Sequence, residues 1–315
     1  MRALACPASL KGVLPAWEAA AALAEGLRSG GAEADELPVA DGGEGTAEVL
    51  HRALGGVWRE ADAVDAFGAP RRTRWLLLPD GTAVVEAAAA VPLDAARLEP
   101  LAASSRGLGE LVAAALAEQP RALLVALGGT ATMDAGAGFL EIVRELPVPT
   151  RAACDVRATL LEAPRLFGPQ KGAGPAELAE LERRFAALPD GLVFLKHKPG
   201  SGAAGGLGAA LASLGAELVP GAELVLAAIG FDPGPYELVV TGEGRVDATT
   251  RLGKAVGEVV RRSAGTRCVV FGGRVEEEIP GARTVVLSGD ARRTREDLVA
   301  LGRTLAPGTS STAPP

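Results

Sequence analysis

The sequence predicts an α/β protein with two lobes, one of them discontinuous and built on a parallel sheet, the other inserted within it. Three observations carry this. Short apolar runs alternate with helix-like runs near both ends of the chain, the rhythm of strand–helix–strand units. From about residue 57 three strand-like runs follow one another on turns as short as "GAP" and "DG", which forces antiparallel pairing. After about residue 105 the strand–helix rhythm returns. At 315 residues the chain can bury one large or two medium cores, and with 48% hydrophobic but only 3% aromatic residues those cores are built from Ala, Leu and Val.

In order, "RALAC" is a short strand ending at Cys6, and "PAWEAAAALAEGLRSGG" is a helix with proline in its first turn and glycine at its end. "EADELPV" is a second strand and "GEGTAEVLHRALGG" a second helix. "VWREADAVDAF", "RRTRWLLLP" and "TAVVEAAAA" are the antiparallel runs; "LGELVAAALAEQ" is a helix and "ALLVALGG" a fully apolar strand. Helices follow at "PAELAELERRFAAL" and "AAGGLGAALASLG". "YELVVTG", "GKAVGEVVRRSA", "RCVVFGG", "RTVVLSG" and "REDLVALGRTLA" restore strand, helix, strand, strand, helix, and 306–315, rich in Pro, Ser and Thr, is expected to be a disordered tail.

A net charge of −7 gives no overall pull towards nucleic acid or anionic membranes, and no apolar run approaches a membrane span. Only five residues precede Cys6 in "MRALACPAS", too few for a signal sequence. Three unclustered cysteines, Cys6, Cys154 and Cys268, fit buried thiols in a reducing cytoplasm. The two histidines, His51 and His197, are too far apart in sequence to suggest a zinc site or a catalytic triad.

Four loops share one design, an apolar strand followed by small residues mixed with charged or hydroxyl ones. They are "VADGGEGT" (39–46), "ALGGTATMDAGAG" (126–138), "FGPQKGAG" (167–174) and "VVTGEGRVD" (239–247). Glycine lets main-chain N–H groups approach an anion, helix starts add partial positive charge, and ligands gather at the C-terminal ends of strands in open α/β sheets. There is no GxxxxGK[ST], and "GSGAAG" (200–205) follows "KHKP" instead of a strand, which disfavours a P-loop and a dinucleotide fingerprint. A kinase site needs carboxylates for Mg²⁺ and cations for phosphate. Asp41, Glu44, Asp134, Asp155, Glu243 and Asp247 offer the first; Lys11, Lys171, Arg245 and Lys254 offer the second.

"PASLKG", "PVADGGEGT", "GGTATMDAGAG", "ACDV", "FGPQKGA", "GAAGGLGA" and "TGEGRVD…GKA" together resemble, in order, the bacterial glycerate kinase family over roughly residues 1–275. The resemblance implies a flavodoxin-like domain carrying an inserted mixed α/β domain, with substrate in the cleft between them. On this reading residues 1–56 plus about 226–305, with room for about 105–135, form the first domain and about 57–225 the insertion. It implies Mg²⁺-ATP-dependent phosphorylation of D-glycerate in the cytoplasm, to 2-phosphoglycerate or, alternatively, 3-phosphoglycerate; a homodimer is the expected form of association. A weakened relative that only binds a small hydroxy acid, or a dinucleotide-dependent oxidoreductase, are the alternatives. Departures are Ala8 where the family has Asp, Met133 for an amide, Ala135 for a glycine, and a shortened stretch between "GAGF" and "ACDV" with "RATLLEAPRL" beyond it.

Roles follow as expectations. Lys11 meets the glycerate carboxylate or a phosphate; Asp134 and Asp155 compete as acid or base. Asp41 and Asp134 are the candidate Mg²⁺ ligands. Ser9, Gly42, Gly43, Thr130 and Thr132 supply neutral donors, Lys171 and Arg245 bind carboxylate or phosphate, and Glu44, Glu243, Asp247 and Lys254 serve the nucleotide. Glu44 and Asp134 have structural alternatives as helix-terminus residues, and Asp247 as a partner for Arg245.

Overall fold

The computed structural model describes residues 1–154, 156–188, 190–251 and 253–308. The chain divides into two compact units, Met1–Ala40 with the chain from Val225 onward, and Asp41–Leu224. The first unit opens with β1 (Arg2–Ala5), α1 (Ala16–Ser29) and β2 (Glu33–Glu36). The second contains α2 (Thr46–Leu54), β3 (Val57–Val64), β4 (Pro70–Leu77), β5 (Thr82–Glu86), α3 (Ala87–Ala90), α4 (Arg106–Ala117), β6 (Ala122–Ala126) and α5 (Ala137–Ile142). It continues with β7 (Thr150–Cys154), α6 (Ala163–Phe167), α7 (Pro175–Ala186), α8 (Asp190–Val193), α9 (Ala203–Ser213) and β8 (Glu217–Pro220). Helix α10 (Gly221–Ala228) carries the return, and β9 (Leu238–Val246), α11 (Ala255–Arg262), β10 (Arg267–Val275), β11 (Arg283–Val286) and α12 (Thr294–Leu305) complete the first unit.

In the first unit five strands run parallel in the order β11-β10-β9-β1-β2. Numbered within the unit this is the 2-1-3-4-5 order of a flavodoxin-like sheet, with the second unit replacing the crossover from the second strand to the third. Strand residues alternate between faces. Ala3, Ala5, Leu238, Val240, Val269 and Phe271 join Leu23 and Leu27 of α1 and Leu298 and Leu305 of α12 in one core. The two helices cross at glycines: a Cβ on Gly26 would lie 2.1 Å from the Val299 carbonyl oxygen, and one on Gly302 would lie 2.4 Å from that of Leu23. Part of the expected disordered tail is packed here, since Ala306 is buried and Gly308 donates its N–H to the Gly30 carbonyl at 3.1 Å. Residues 309–315 lie outside the described residues.

The second unit holds a mixed sheet, β3-β4-β5-β6-β7-β8. The β3, β4 and β5 runs are the expected antiparallel trio, and β5 through β8 are parallel. "TAVVEAAAA" is not one strand: it turns at Glu86 into the short helix α3, in keeping with the helix preference of its alanines. Trp75, Val85, Val125 and Ala152 from the sheet, with Leu127 just past β6, pack with Leu108, Leu111 and Val112 of α4, Phe139 of α5, and Leu207 and Leu211 of α9. A separate cluster joins Met133, Leu160, Ala163, Leu181, Phe185, Leu192 and Leu195. The three cysteines are buried thiols, none of them in a disulfide among the described residues. Among the described residues no helix is long and apolar enough to cross a membrane.

Candidate active site

The glycine loop after β6 lies at the C-terminal end of a parallel strand, as the sheet topology favours, whereas "FGPQKGAG" follows helix α6 and not the strand the sequence suggested. In the second unit "ADGGEGT" leads into α2 by running across the ends of β6, β7 and β8. Its glycines serve backbone-to-backbone packing. A Cβ on Gly42 would sit 2.8 Å from Ala153 Cβ and 3.0 Å from Gly221 Cα; one on Gly128 would sit 2.6 Å from Gly43 Cα. Gly42, at φ 88°, also needs the left-handed conformation that glycine adopts freely, and its carbonyl accepts the Gly128 N–H at 3.4 Å.

The start of α2 already has its anion. Glu86, at the end of β5, accepts the Ala47 N–H at 2.6 Å and is also bonded by the Gly45 N–H. Burial pushes the Glu86 carboxyl above its ordinary range, those two N–H groups pull it back, and Glu44 pushes it further up. Sequence reasoning missed Glu86; the one signal was a carboxylate closing an otherwise apolar strand. Glu44 is exposed. Asp41 is partly exposed and has no hydrogen-bond or ion-pair partner among the described residues.

The second glycine loop, after β6, is held from several sides. The Asp134 carboxylate accepts four hydrogen bonds: from Ser105 N–H (2.7 Å) and hydroxyl (2.8 Å), and from Gly136 and Gly138 N–H (both 3.1 Å). It thereby caps α5 and ties it to the start of α4. Ser105 completes the link by accepting the Phe139 N–H at 2.9 Å. Thr132 is fully buried and donates its hydroxyl to the Ala204 carbonyl at 3.2 Å. Thr130 is 3% exposed, and its buried hydroxyl has no partner among the described residues. Met133 lies in the apolar cluster beside Leu160 and Ala163, which accounts for a hydrophobic residue there. Ala135 takes φ 53°, as does Ala204 in "GAAGGLG", a conformation that costs a residue with a Cβ roughly 1–2 kcal/mol. The two loops meet at the Ala135 N–H, which donates to the Gly205 carbonyl at 3.0 Å. Gly200 follows turns, not a strand.

Lys171 does not reach solvent. It is 4% exposed and its Nζ donates to the Thr132 carbonyl at 2.8 Å. Desolvation lowers its pKa to about 7, with Asp134 pulling it back up. Asp155, the other candidate base, lies outside the described residues.

In the first unit the loop after β1 and the C-terminal part of β9, where Glu243 and Arg245 still pair with β10, flank the point where strand order reverses. A Cβ on Gly244 would sit 3.7 Å from Leu10 Cα and 3.8 Å from Lys11 N. Lys11 is exposed and Ser9 partly so, and neither side chain has a partner among the described residues. Ala8 donates its N–H to the Gly242 carbonyl at 2.9 Å, a main-chain bond independent of the side chain at that position. Glu243 accepts the Thr250 hydroxyl at 2.7 Å and lies 3.6 Å from the Lys254 ammonium. Arg245 is 60% exposed, bonded to Glu276 at 2.7 Å and 3.4 Å from Asp247. The Thr249 hydroxyl and N–H, with Lys254 and Arg245 near, hold the Asp247 carboxyl below its ordinary range. Among the described residues no group of three or more His, Cys, Asp or Glu is placed to enclose a metal ion.

The glycerate kinase family model matches residues 3–146 and 143–289. The chain is 36% identical to the glycerate 2-kinase of Escherichia coli (strain K12), covering 81% of this chain and 80% of that one. It is likewise 36% identical to the glycerate kinase of Bacillus subtilis (strain 168), covering 81% and 79%. A crystal structure from Salmonella typhimurium LT2 assigned to glycerate kinase 2 superposes with a TM-score of 0.79 at 28% identity, covering 97% of both chains.

Proposed function

The chain belongs to the glycerate kinase family, and from that premise we propose that it transfers the terminal phosphoryl group of Mg²⁺-ATP to D-glycerate in the cytoplasm, giving 2-phosphoglycerate. The observation that carries the reading is Asp41. Its carboxylate has no donor of its own among the described residues, yet the backbone beside it is fixed by Gly42 against the ends of β7 and β8. Mg²⁺ is commonly held by one or two carboxylates with phosphate and water completing its shell, so a single uncommitted carboxylate fits the ion and a closed protein cage is not needed. Asp134, with four donors on its carboxylate, does not fit that role and is assigned to positioning.

Bound Mg²⁺ supplies charge neutralisation at the phosphates. The chain's own residues then supply positioning and further countercharge. Lys11 and Lys254, beside the strand-order reversal of the first unit, are assigned to the anionic groups of nucleotide or glycerate, and Ser9 to a neutral hydrogen bond. Glu243 orients Lys254 through their ion pair. Arg245 is an accessory cation that Asp247 and Glu276 already hold in place. Asp155, next in sequence after β7, is the carboxylate proposed to take the proton of the glycerate hydroxyl. Phosphoryl transfer needs little from such a base once donor and acceptor are aligned.

Asp41→Asn tests the reading, because it removes the charge and keeps the shape. The expected result is a fall in kcat/KM of about 100-fold or more with unchanged thermal stability, the scale of losing one electrostatic contact to transferring phosphate. A variant within about fivefold of wild type would remove Asp41 from the site.

A further inference from the structure

Lys171 is the one cation in the glycine loops that the structure turns inward. It sits in the short 3-10 turn Pro169–Lys171, and its Nζ donates to the Thr132 carbonyl. Gly205 packs against the same carbonyl: a Cβ there would come within 1.9 Å of its oxygen. Thr132 is also tied to Ala204 through its hydroxyl, and two residues further on Asp134 holds the start of α5. The next turn of chain is fixed as well, because a Cβ on Gly172 would lie 2.6 Å from the Leu98 carbonyl oxygen. Burying an ammonium with the Thr132 carbonyl as its hydrogen-bond acceptor among the described residues, and the Asp134 carboxylate as nearby countercharge, is an expensive way to hold a loop, and an apolar side chain of similar volume would usually stabilise the fold better. The charge is therefore best explained by what it fixes, the path of residues 129–134 beyond the end of β6.

We propose that Lys171 is a positioning residue, which clamps the Thr132 carbonyl from inside the second unit and so sets the shape of the 129–134 loop for phosphoryl transfer, without touching either substrate. This rests on the kinase reading above for its kinetic consequence, but its structural content stands apart from that reading.

The test compares wild type with Lys171→Met, which keeps the stem and removes the donor, and with Lys171→Arg, which keeps a donor and a charge. Expected for the Met variant are a kcat lowered about tenfold or more, KM for ATP and glycerate within about twofold, and a midpoint of thermal unfolding equal to or above wild type. The Arg variant should recover part of kcat, and it decides the matter by the same split if the Met variant does not fold. A tenfold rise in KM for either substrate at unchanged kcat would overturn the proposal in favour of direct ligand binding, as would a Met variant with wild-type kinetics. Amide hydrogen exchange separates the two readings. Should wild type itself turn over no glycerate, faster exchange across 129–134 in the Met variant would still establish the clamp, and unchanged exchange would overturn it.

Discussion

At the scale of single residues, Lys171 shows how a side chain's chemistry depends on where its neighbours come from. Its surroundings in sequence, "GPQKGAG", are small and polar, the context in which a lysine usually extends to an anion. The residue whose carbonyl receives its ammonium, Thr132, lies far away in sequence, and no local pattern reveals that. The burial has a thermodynamic signature. With its pKa lowered from 10.5 to about 7, the folded state binds fewer protons than the unfolded chain between those two values. Stability contributed by this group therefore rises with pH across that window, at up to about 1.4 kcal/mol per pH unit. Lys171→Met has no such group, so denaturant unfolding should show the variant's advantage over wild type largest at pH 6 and shrinking steadily towards pH 10. A constant difference across that range would mean that the ammonium is not desolvated. Asp134 carries a related lesson: as a carboxylate past an apolar strand it was legible as important, but both metal binding and helix capping fit its sequence position. The four donors on its carboxylate are those of a helix-terminus residue.

At the scale of elements, the helices and strands were legible because hydrophobic periodicity and glycine or proline punctuation are local signals. "PAWEAAAALAEGLRSGG" and "REDLVALGRTLA" became α1 and α12. The function of the glycine loops was not legible in the same way. "PVADGGEGT" reads as a cradle for an anion, yet its glycines meet Ala153, Gly128 and Gly221, residues distant in sequence, and the helix start behind it is occupied by Glu86. Gly221→Ala examines this packing. Its Cβ would fall 2.0 Å from the Asp41 carbonyl oxygen, a main-chain contact that no rotamer relieves. Unfolding measurements should show a loss of about 2 kcal/mol or more, while Gly191→Ala, whose Cβ meets nothing within 4 Å, should be nearly neutral. Equal effects at the two positions would refute the packing role.

At the scale of the whole molecule, the alternation at the two ends of the chain foretold a parallel sheet built from segments far apart in sequence. The sheet order now shows how: the unit Asp41–Leu224 occupies a single crossover of a 2-1-3-4-5 sheet. An insertion there leaves the ends of β1 and β9 side by side, so Lys11 and Glu243 lie near the place where such sheets bind ligands. The trimmed stretch before β7 leaves the parallel pairing of β6, β7 and β8 intact. Departures at positions 8, 133 and 135 are absorbed by a main-chain bond, an apolar cluster and a left-handed alanine respectively. These observations support a working kinase more than a binding protein. The most direct test is phosphorus NMR of the purified chain incubated with Mg²⁺-ATP and D-glycerate. The account predicts ADP appearing together with an equal amount of 2-phosphoglycerate. No phosphoglycerate, in a sample whose thermal stability nonetheless rises with glycerate, would contradict it.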